Sequence, residues 1–500
     1  MATAPGAYVN ITAASSSPNG NTSTGTWFVT GLTAMGPTGV AVPITSLNDY
    51  TNFLGARVPY GVLYDSLDEY FHDGGVLAYV SRLVGPSAVK AVVTLSDTTN
   101  PTLTVTANGA GIWGNQATGG LSVTVATGSV ANSYTLTILL NGVVVLVSPN
   151  LFTPADAPLW FAAQPAWKTY VTIANLGSVT AAPNNNPANG TFNLISGADD
   201  NASVVDTQFT AGLTAFTDQY GSGQVSAPGH TTEAGYAALS AHATTFNRVP
   251  LFDDADTPTT ATIVTQATTF QAAVSDPSYG ALLAPWVVIP GIPSTTGGTA
   301  SPITTRTVPP SALVAALMAR NDVTNDANIP AAGVAHGQSR YAINVTQTYV
   351  SADRATLNNA GVNVIRVLNG VVTLYGYRSL ALDPQWLFLN NVRFRMQLKQ
   401  GLQDIARGFV FDQIDAQGHV FSTLNGDLAG YLQNFWLLGS LFGLTAQAAF
   451  TVNTGPQVNT PTTIAAGQIV AECAVRMAPE AEQVIINVVK YLTTSNLPVL

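Results

Sequence analysis

A hairpin in the final third of the chain is its strongest local structural signal. The segment 357–380 reads LNNAGVNVIRVLNGVVTLYGYRSL. Its apolar runs, at 362–367 and 371–375, have the length and the β-branched content of strands. Asn369-Gly370 lies between them, and this dipeptide is typical of a two-residue hairpin turn. The segment therefore predicts two strands joined by a tight turn, after a polar turn at 358–361 and before a long amphipathic stretch.

Strand and helix patterns alternate through the middle of the chain. The predicted strands are 170–174, 249–252 and 286–289, and the predicted helices are 231–247, 259–274 and 309–320. This alternation is typical of an α/β layer with a largely parallel sheet. Nearer the N-terminus, the pattern predicts a buried strand at 27–31, a helix over 60–71 and a strand at 76–84.

The pattern between these two parts, over 91–165, has no helical spacing. Thr- and Val-rich runs at 103–107, 121–126, 134–140 and 143–147 predict strands, and Asn141-Gly142 predicts another hairpin turn. We therefore expect an all-β module. Gly109, Gly111 and Gly114 spell GxGxxG here, but a strand follows where a dinucleotide site requires a helix, so we reject that interpretation.

The last part of the chain combines helices with strands. A helix predicted over 392–409 carries the most basic segment of the protein, which consists of Arg393, Arg395, Lys399 and Arg407. A solvated helix face and a surface for an acidic partner explain it equally well. A second helix is predicted over 424–435, and strands are predicted at 450–454, 469–477 and 483–490.

Composition limits the class of protein. The chain has 500 residues, which suggests about two to four domains. Only 9% of the residues are charged, against roughly 25% in typical soluble proteins. The surface has too few charges to keep copies apart by repulsion, so we expect a protein packed against its neighbours. A genome whose proteins are generally rich in small residues would give the same composition. The net charge of −10 and the absence of Lys/Arg-rich runs argue against binding nucleic acid.

The sequence predicts neither a secretory signal nor a stable membrane insertion. The N-terminus lacks a basic and an apolar region. The segment 428–450 has no charge and could span a bilayer, but Gly, Gln and Asn interrupt it and no Lys or Arg flanks it closely. We therefore expect a buried helix pair there.

No residue pattern predicts catalysis, a metal site or a cofactor. The five histidines are not accompanied by a Gly-x-Ser-x-Gly elbow, an HExxH motif or a Gly-Lys-Ser/Thr phosphate loop. The acidic run 253–256 lacks the central Gly of a calcium loop, so we expect a solvated turn. Cys473 is the single cysteine, which excludes an internal disulfide, and its apolar surroundings predict a buried, inert thiol.

Several motifs resemble those of contractile, myovirus-type bacteriophage tail sheath proteins. The hairpin segment supplies two of them, Gly-Val-Asn-x-Ile-Arg at 361–366 and aromatic-Gly-x-Arg-Ser-Leu at 375–380. Others are PG-x-Y-V at 5–9, the segment 70–75 followed by Arg82, Gly-x-Trp-Gly-Asn at 111–115, Pro285-Trp286, and the segments 308–311 and 319–322. Matching segments run from Pro5 to about Lys490, and only the Pro-Ala-Glu segment near 478–482 has a disturbed order.

The resemblance implies an α/β multidomain fold. The expected parts are an N-terminal arm and linker (1–25), the N-terminal part of the core (26–90), an inserted β domain (91–165), an α/β sheath domain with subtilisin-like topology (166–356), an α+β C-terminal sheath domain (357–480) and a C-terminal arm (481–500). The label subtilisin-like refers to topology alone, since a fold does not confer activity.

The resemblance also implies a structural, non-enzymatic function. A subunit of this family assembles with itself into hexameric rings that stack in a helical lattice around a tail tube. The lattice contracts, drives the tube through the host envelope and so permits genome ejection. The implied partners are the tube, baseplate and tail terminator proteins, and the implied location is the virion, after assembly in the host cytoplasm. The alternatives are the sheath of a bacterial contractile injection system and, less favoured, a cell-surface binding module or a hydrolase.

Both ends of the chain carry a strand that needs a sheet edge to join, in its own chain or in another. We predict strand exchange between subunits, which would link the lattice into a mesh. The arm residues are Tyr8, Val9, Asn10, Ile11, Val484, Ile485, Ile486 and Val488. The receiving residues are Phe450, Val452, Ile469, Val470 and Val475, and the candidate tube-facing residues are Arg393, Arg395, Lys399 and Arg407.

Overall fold

The computed structural model describes residues 24–292, 303–415 and 417–482. They form two compact units, of which the first ends at Asp412 and the second begins at Gln413.

The strands, in chain order, are β1 (Trp27–Leu32), β2 (Val42–Ile44), β3 (Ala78–Leu83), β4 (Val92–Ser96), β5 (Pro101–Ala107), β6 (Leu121–Thr127), β7 (Tyr134–Leu140), β8 (Val143–Val147), β9 (Val171–Asn175), β10 (Gly190–Asn193), β11 (Gly223–Ser226), β12 (Arg248–Asp253), β13 (Ala281–Ala284), β14 (Val287–Pro290), β15 (Thr305–Val308), β16 (Asn344–Val345), β17 (Val362–Leu368), β18 (Val371–Leu374), β19 (Phe450–Asn453) and β20 (Glu472–Val475).

The α-helices are α1 (Leu47–Leu54), α2 (Leu63–His72), α3 (Asp156–Ala162), α4 (Ala166–Thr169), α5 (Asp206–Leu213), α6 (Glu233–Phe246), α7 (Thr260–Ala273), α8 (Pro310–Thr324), α9 (Gly333–His336), α10 (Ser351–Asn359), α11 (Leu389–Arg407), α12 (His419–Leu437), α13 (Ala446–Ala449) and α14 (Pro461–Ala465).

An eight-stranded sheet organises the first unit, in the order β18-β17-β13-β12-β11-β1-β3-β2. Every inner pair of neighbours is parallel, and the two outermost pairs are antiparallel. Strands β11, β12 and β13 are buried at every position, as expected for parallel strands covered on both faces. The predicted α/β layer with a largely parallel sheet is therefore confirmed.

The predicted hairpin is confirmed, but it belongs to this central sheet. Strand β17 pairs with β18 from Ile365 opposite Leu374 to the turn, where Asn369 and Gly370 have φ of 51° and 84°, the signs that a type I′ turn requires. Strand β17 also pairs in parallel with β13. A C-terminal domain beginning at 357 is therefore wrong, because the hairpin completes the sheet of the first unit, which extends to Asp412.

The β module has two sheets and its own apolar core. The sheets are β4-β5-β9 and β10-β6-β7-β8, and the strands predicted at 103–107, 121–126, 134–140 and 143–147 are all present. The predicted end at 165 is wrong, because β9 and β10 complete these sheets. The strand predicted at 170–174 for the α/β layer is β9, and it pairs with β5. Residue alternation predicts a strand but does not specify its partner.

The strand predicted at 286–289 also pairs differently from what we expected. It corresponds to β14, which lies in a separate antiparallel sheet of order β15-β14-β16. The parallel strand at this point is β13, whose sequence ALLA is too short and too uniform to be told from a buried helix by periodicity.

The second unit contains α12, α13, α14 and the antiparallel pair β19–β20. The buried helix pair expected over 428–450 is wrong. Helix α12 ends at Leu437, Gly439 adopts φ of 84°, and α13 has four residues. The connecting residues Leu438, Phe442 and Leu444 are exposed. Among the described helices, none combines the length and the apolar character that crossing a membrane requires.

Candidate assembly site

The β19–β20 pair contains most of the predicted receiving residues. Phe450 lies opposite Val475, and Val452 lies opposite Cys473. Ile469 and Val470 lie before β20 begins. Val470 instead forms hydrogen bonds with the Asn459 side chain in both directions, at 2.8 Å and 2.7 Å. Three of the five predicted receiving residues are therefore on strands, and two are in the loop that precedes β20.

The outer edges of this pair have different surroundings. On the β19 side, Asn425 Nδ2 of α12 donates to the Val452 carbonyl at 3.1 Å. Beyond the end of β20, Leu441 pairs with Met477, and the Phe442 amide donates to the Arg476 carbonyl at 2.8 Å. Along 472–475 itself, the described part of the chain provides no third strand. The edge of β20 therefore has the chemistry to receive an extended segment.

The predicted arm residues Tyr8, Val9, Asn10 and Ile11 lie outside the described residues, as do Val484, Ile485, Ile486 and Val488. Strand exchange through these arms stays a prediction.

Cys473 is half-buried at the centre of β20. Burial raises the pKa of its thiol to about 12. The expected thiol was buried, whereas this one is half-buried, and its raised pKa disfavours the nucleophilic thiolate at neutral pH.

The predicted basic face of α11 is largely inside the first unit. Arg393 is 1% exposed, and its Nη2 lies 2.6 Å from Asp322 Oδ2. Its Nη1 also donates to the Tyr377 hydroxyl at 3.2 Å. Arg395 is 7% exposed, and its guanidinium lies 4.3 Å from the centre of the Trp386 ring. A four-residue basic surface is therefore wrong for Arg393 and Arg395, because Asp322 pairs with Arg393 and aromatic rings cover Arg395 in the interior.

The other two basic residues of α11 are closer to solvent. Lys399 is half-buried, and burial followed by the charge of Arg395 lowers the pKa of its amine. Arg407 is exposed and forms an ion pair with Asp404 one helical turn away, at 2.5 Å. The surface available to an acidic partner on this helix is therefore restricted to Lys399 and Arg407.

Two of the sequence motifs meet at Asp73, whose side chain is fully buried. Arg320 Nη1 lies 3.1 Å from one carboxylate oxygen, and the Arg340 amide donates to the same oxygen at 2.6 Å. Ser339 Oγ donates to the other oxygen. Segments 70–75 and 319–322, which are far apart in sequence, are therefore parts of one buried polar cluster that attaches α2 to α8.

A second group of motif residues surrounds the buried guanidinium of Arg82. Its Nη1 donates to the carbonyls of Gly36 at 3.1 Å and Ala110 at 2.7 Å, and burial lowers its pKa to about 10. A Cβ at Gly109 would lie 2.0 Å from the Gly36 carbonyl oxygen. The glycines of the rejected GxGxxG pattern thus serve close packing, where the β module joins the core.

Asp206, His230 and Thr232 lie close together, but they do not form a catalytic relay. Asp206 Oδ1 lies 2.6 Å from His230 Nε2, and the Thr232 hydroxyl lies 3.1 Å from the same nitrogen. A relay needs the carboxylate and the nucleophile on opposite ring nitrogens. In addition, both the amide and the hydroxyl of Ser311 donate to the Asp253 carboxylate at 2.7 Å, and all three groups are buried.

Asp253 and Asp254 are each 1% exposed, so the expected solvated turn at 253–256 is wrong for these two residues. Burial raises the pKa of Asp253 to about 7 and that of Asp254 to about 6. Sequence reasoning missed this buried pair because its partner Ser311 is 58 residues away. No group of three or more His, Cys, Asp or Glu side chains arranged to hold a metal occurs among the described residues.

No protein-family model matches the sequence, and neither does any curated protein. Solved structures do match. A sheath tail protein from Listeria innocua is 14% identical, covers 87% of this chain and 89% of its own, and gives a TM-score of 0.56. The helical sheath of the anti-feeding prophage (AFP) in the contracted state is 18% identical, covers 98% and 99%, and gives 0.54. The contracted PVC sheath complex of an extracellular contractile injection system is 16% identical, covers 98% of both chains, and gives 0.54.

These matches extend over nearly the whole of each chain, so they compare complete architectures rather than one shared layer. At these identities they establish the fold. The chain has the fold of the contractile tail sheath proteins, as its sequence motifs predicted.

Proposed function

We propose that this protein is the structural subunit of a contractile tail sheath. The supporting observation is the match, over 98% of the chain, to a subunit of a helical sheath in the contracted state. In this proposal, copies assemble as hexameric rings stacked around a tail tube, with baseplate and terminator proteins at the ends. The subtilisin-like topology of the α/β part belongs to the same proposal.

Strand exchange between subunits would connect this lattice. A two-stranded sheet is marginally stable by itself in water, and β19–β20 is such a sheet within the described residues. An N-terminal and a C-terminal arm from neighbouring subunits would extend it, with main-chain hydrogen bonds supplying the affinity. Linkers beside the arms would let subunits reorient without detaching.

Contraction would release energy stored in the lattice. The sequence has no Gly-Lys-Ser/Thr phosphate loop, and the proposed work therefore comes from subunit packing. The extended sheath would be a kinetically trapped, higher-energy packing, and contraction would be a rigid-body rearrangement to better contacts.

A truncation tests the proposed mesh. We would express the full chain and a variant without residues 1–20, each together with the tube protein, and image the products by electron microscopy. The full chain should form sheaths and the truncated chain should remain as dispersed subunits. Normal extended sheaths from the truncated chain would contradict strand exchange.

A substitution pair provides a sharper control at the other arm. Ile485→Pro removes a backbone donor and should abolish assembly, whereas Ile485→Ala keeps that donor and should assemble. Circular dichroism of both variants would establish that the subunit itself still folds.

A bacterial contractile injection system is the second candidate, and two similar structures favour it. The PVC sheath complex belongs to an extracellular contractile injection system, and the other assembly is the anti-feeding prophage. Neighbouring genes for a capsid and DNA packaging would indicate a phage tail, which would place the protein in the virion after assembly in the host cytoplasm. Their absence, with injection-system genes present, would indicate the second candidate.

A further inference from the structure

Helix α2 directs an unusual number of acidic side chains into the interior of the first unit. Asp65 and Asp68 are 3% and 5% exposed, and Glu69 and Asp73 are fully buried. Acidic residues are almost never buried this completely without partners. The partners of these four carboxyl groups therefore determine their charge.

Three arginines provide the positive charge. Arg57 Nη2 lies 2.7 Å from Asp65 Oδ2. Arg306 of β15 contacts Asp65 Oδ1 at 2.9 Å and also forms an ion pair with Asp68. Arg320 of α8 pairs with Asp73, as described above. Each aspartate of the cluster thus has an arginine.

Glu69 is the fourth acid, and no arginine among the described residues forms an ion pair with it. Neither of its carboxyl oxygens accepts a hydrogen bond from a donor in the described structure. Its acidic neighbour is Asp73, four residues further on at the C-cap of α2. Three arginines balance three aspartates, so an ionised Glu69 would add an unpaired negative charge to a fully buried site.

We propose that Glu69 is protonated in the folded subunit and donates a hydrogen bond to the Asp73 carboxylate. The cluster is then neutral, and the protonated oxygen of Glu69 has an acceptor in the Asp73 carboxylate. Folding of the first unit thereby takes up one proton, and the attachment of α2 to α8 depends on it.

The surrounding groups agree with this assignment. Burial first, and then the negative charge of Asp73, raises the pKa of Glu69 well above its ordinary value of 4.5. Asp68 raises it further, and Arg306 opposes these effects. The remaining polar neighbours act on Asp68: the Tyr341 hydroxyl donates to it at 3.1 Å, and the half-exposed His72 lies 3.0 Å away.

The proton makes the stability of the subunit depend on pH with a definite sign. In the unfolded chain Glu69 loses its proton near 4.5, whereas in the folded chain it keeps the proton to a higher pH. Above the pKa of Glu69 in the unfolded chain, the folded state therefore binds more protons than the unfolded state. The equilibrium constant for folding then decreases by up to about tenfold for each pH unit. The decrease stops once pH exceeds the pKa of Glu69 in the folded state.

Glu69→Gln tests the proposal, because the amide has nearly the same shape, donates to Asp73 and cannot ionise. We would measure urea unfolding of the full chain at several pH values between about 5 and 8. For each pH unit, the folding equilibrium constant of the wild type should decrease by a factor up to about tenfold larger than that of the variant. Glu233→Gln makes the same change at an exposed position of α6 and should keep the wild-type dependence. Equal pH dependence of wild type and Glu69→Gln would overturn the proposal.

Infrared spectroscopy of the wild type keeps the test independent of whether the variant folds. Carbon-13 labelling of glutamate separates its carboxyl bands from those of the buried Asp253 and Asp254. Labelled protein at neutral pH should show a protonated-glutamate band that disappears on unfolding. A folded, labelled protein without that band would also refute the assignment.

Discussion

The buried ion pair between Asp322 and Arg393 gives the sharpest test of how the first unit is held together. The pair joins α8 to α11, and its side chains are 8% and 1% exposed, with 2.6 Å between Oδ2 and Nη2. Asp322→Asn keeps the shape of the side chain and removes its charge. Arg393 would then remain buried, with the Tyr377 hydroxyl as its nearest polar contact on Nη1.

The expected cost follows from the burial of Arg393. Removing one partner of a buried pair destabilises a protein by about 3–5 kcal/mol, because the other charge loses its compensation. We expect the lower end, about 3 kcal/mol, because the Asn carbonyl still accepts a hydrogen bond. Urea unfolding followed by tryptophan fluorescence would measure the change in the free energy of unfolding.

A control and a double variant separate this mechanism from general damage. Arg407→Met removes an exposed ion pair and should change stability by less than about 0.5 kcal/mol. Asp322→Leu combined with Arg393→Met should recover most of the loss, since no buried charge remains unpaired. A cost below about 1 kcal/mol for Asp322→Asn, or strictly additive single and double variants, would refute the reasoning.

Three further experiments test individual features. Arg82→Met leaves two buried carbonyls without their donor, so it should cost about 1–3 kcal/mol and speed limited proteolysis at the base of the β module; unchanged digestion would contradict the contact. Gly370→Ala should cost about 1–2 kcal/mol through the φ of 84° alone. Gly426 lies in a helix with open space where a Cβ would stand, so Gly426→Ala should stabilise by about 0.4–1 kcal/mol. Thermal unfolding compares the two variants. The Cys473 thiol, with its pKa of about 12, should react with an alkylating reagent at a rate that keeps rising above pH 9.0; a plateau near that value would indicate an ordinary thiol.

The sequence predicted those parts of the fold that local chemistry determines. Asn369-Gly370 determines a type I′ turn through two residues with positive φ, and the helix and strand periods of the α/β layer are equally local. Pairing partners are not local. The alternation at 171–175 fits an edge strand of the central sheet as well as one of the β module. Only the folded chain shows that β9 pairs with β5.

Burial of charge was the other feature that the sequence concealed. On a helical wheel, the basic residues of α11 resemble a solvated face or a binding surface. Arg393 is interior because it pairs with Asp322, and the sequence conceals this pair because Asp322 lies 71 residues earlier in the chain. Arg395 is interior because aromatic rings enclose its guanidinium. The acids of α2 and Asp253 follow the same rule, since their partners Arg306, Arg320 and Ser311 come from remote segments.

The chain shares its fold with sheath subunits to which it is only 14–18% identical. Buried polar contacts between elements are formed by Asp73, Arg320, Asp322, Tyr377 and Arg393. Arg82 joins the β module to the core. Such contacts depend on particular side chains, because a buried charge without its partner is costly. In the proposed strand exchange, by contrast, affinity comes from backbone groups, which every sequence supplies. A lattice connected in this way would keep its connections if its surface residues changed.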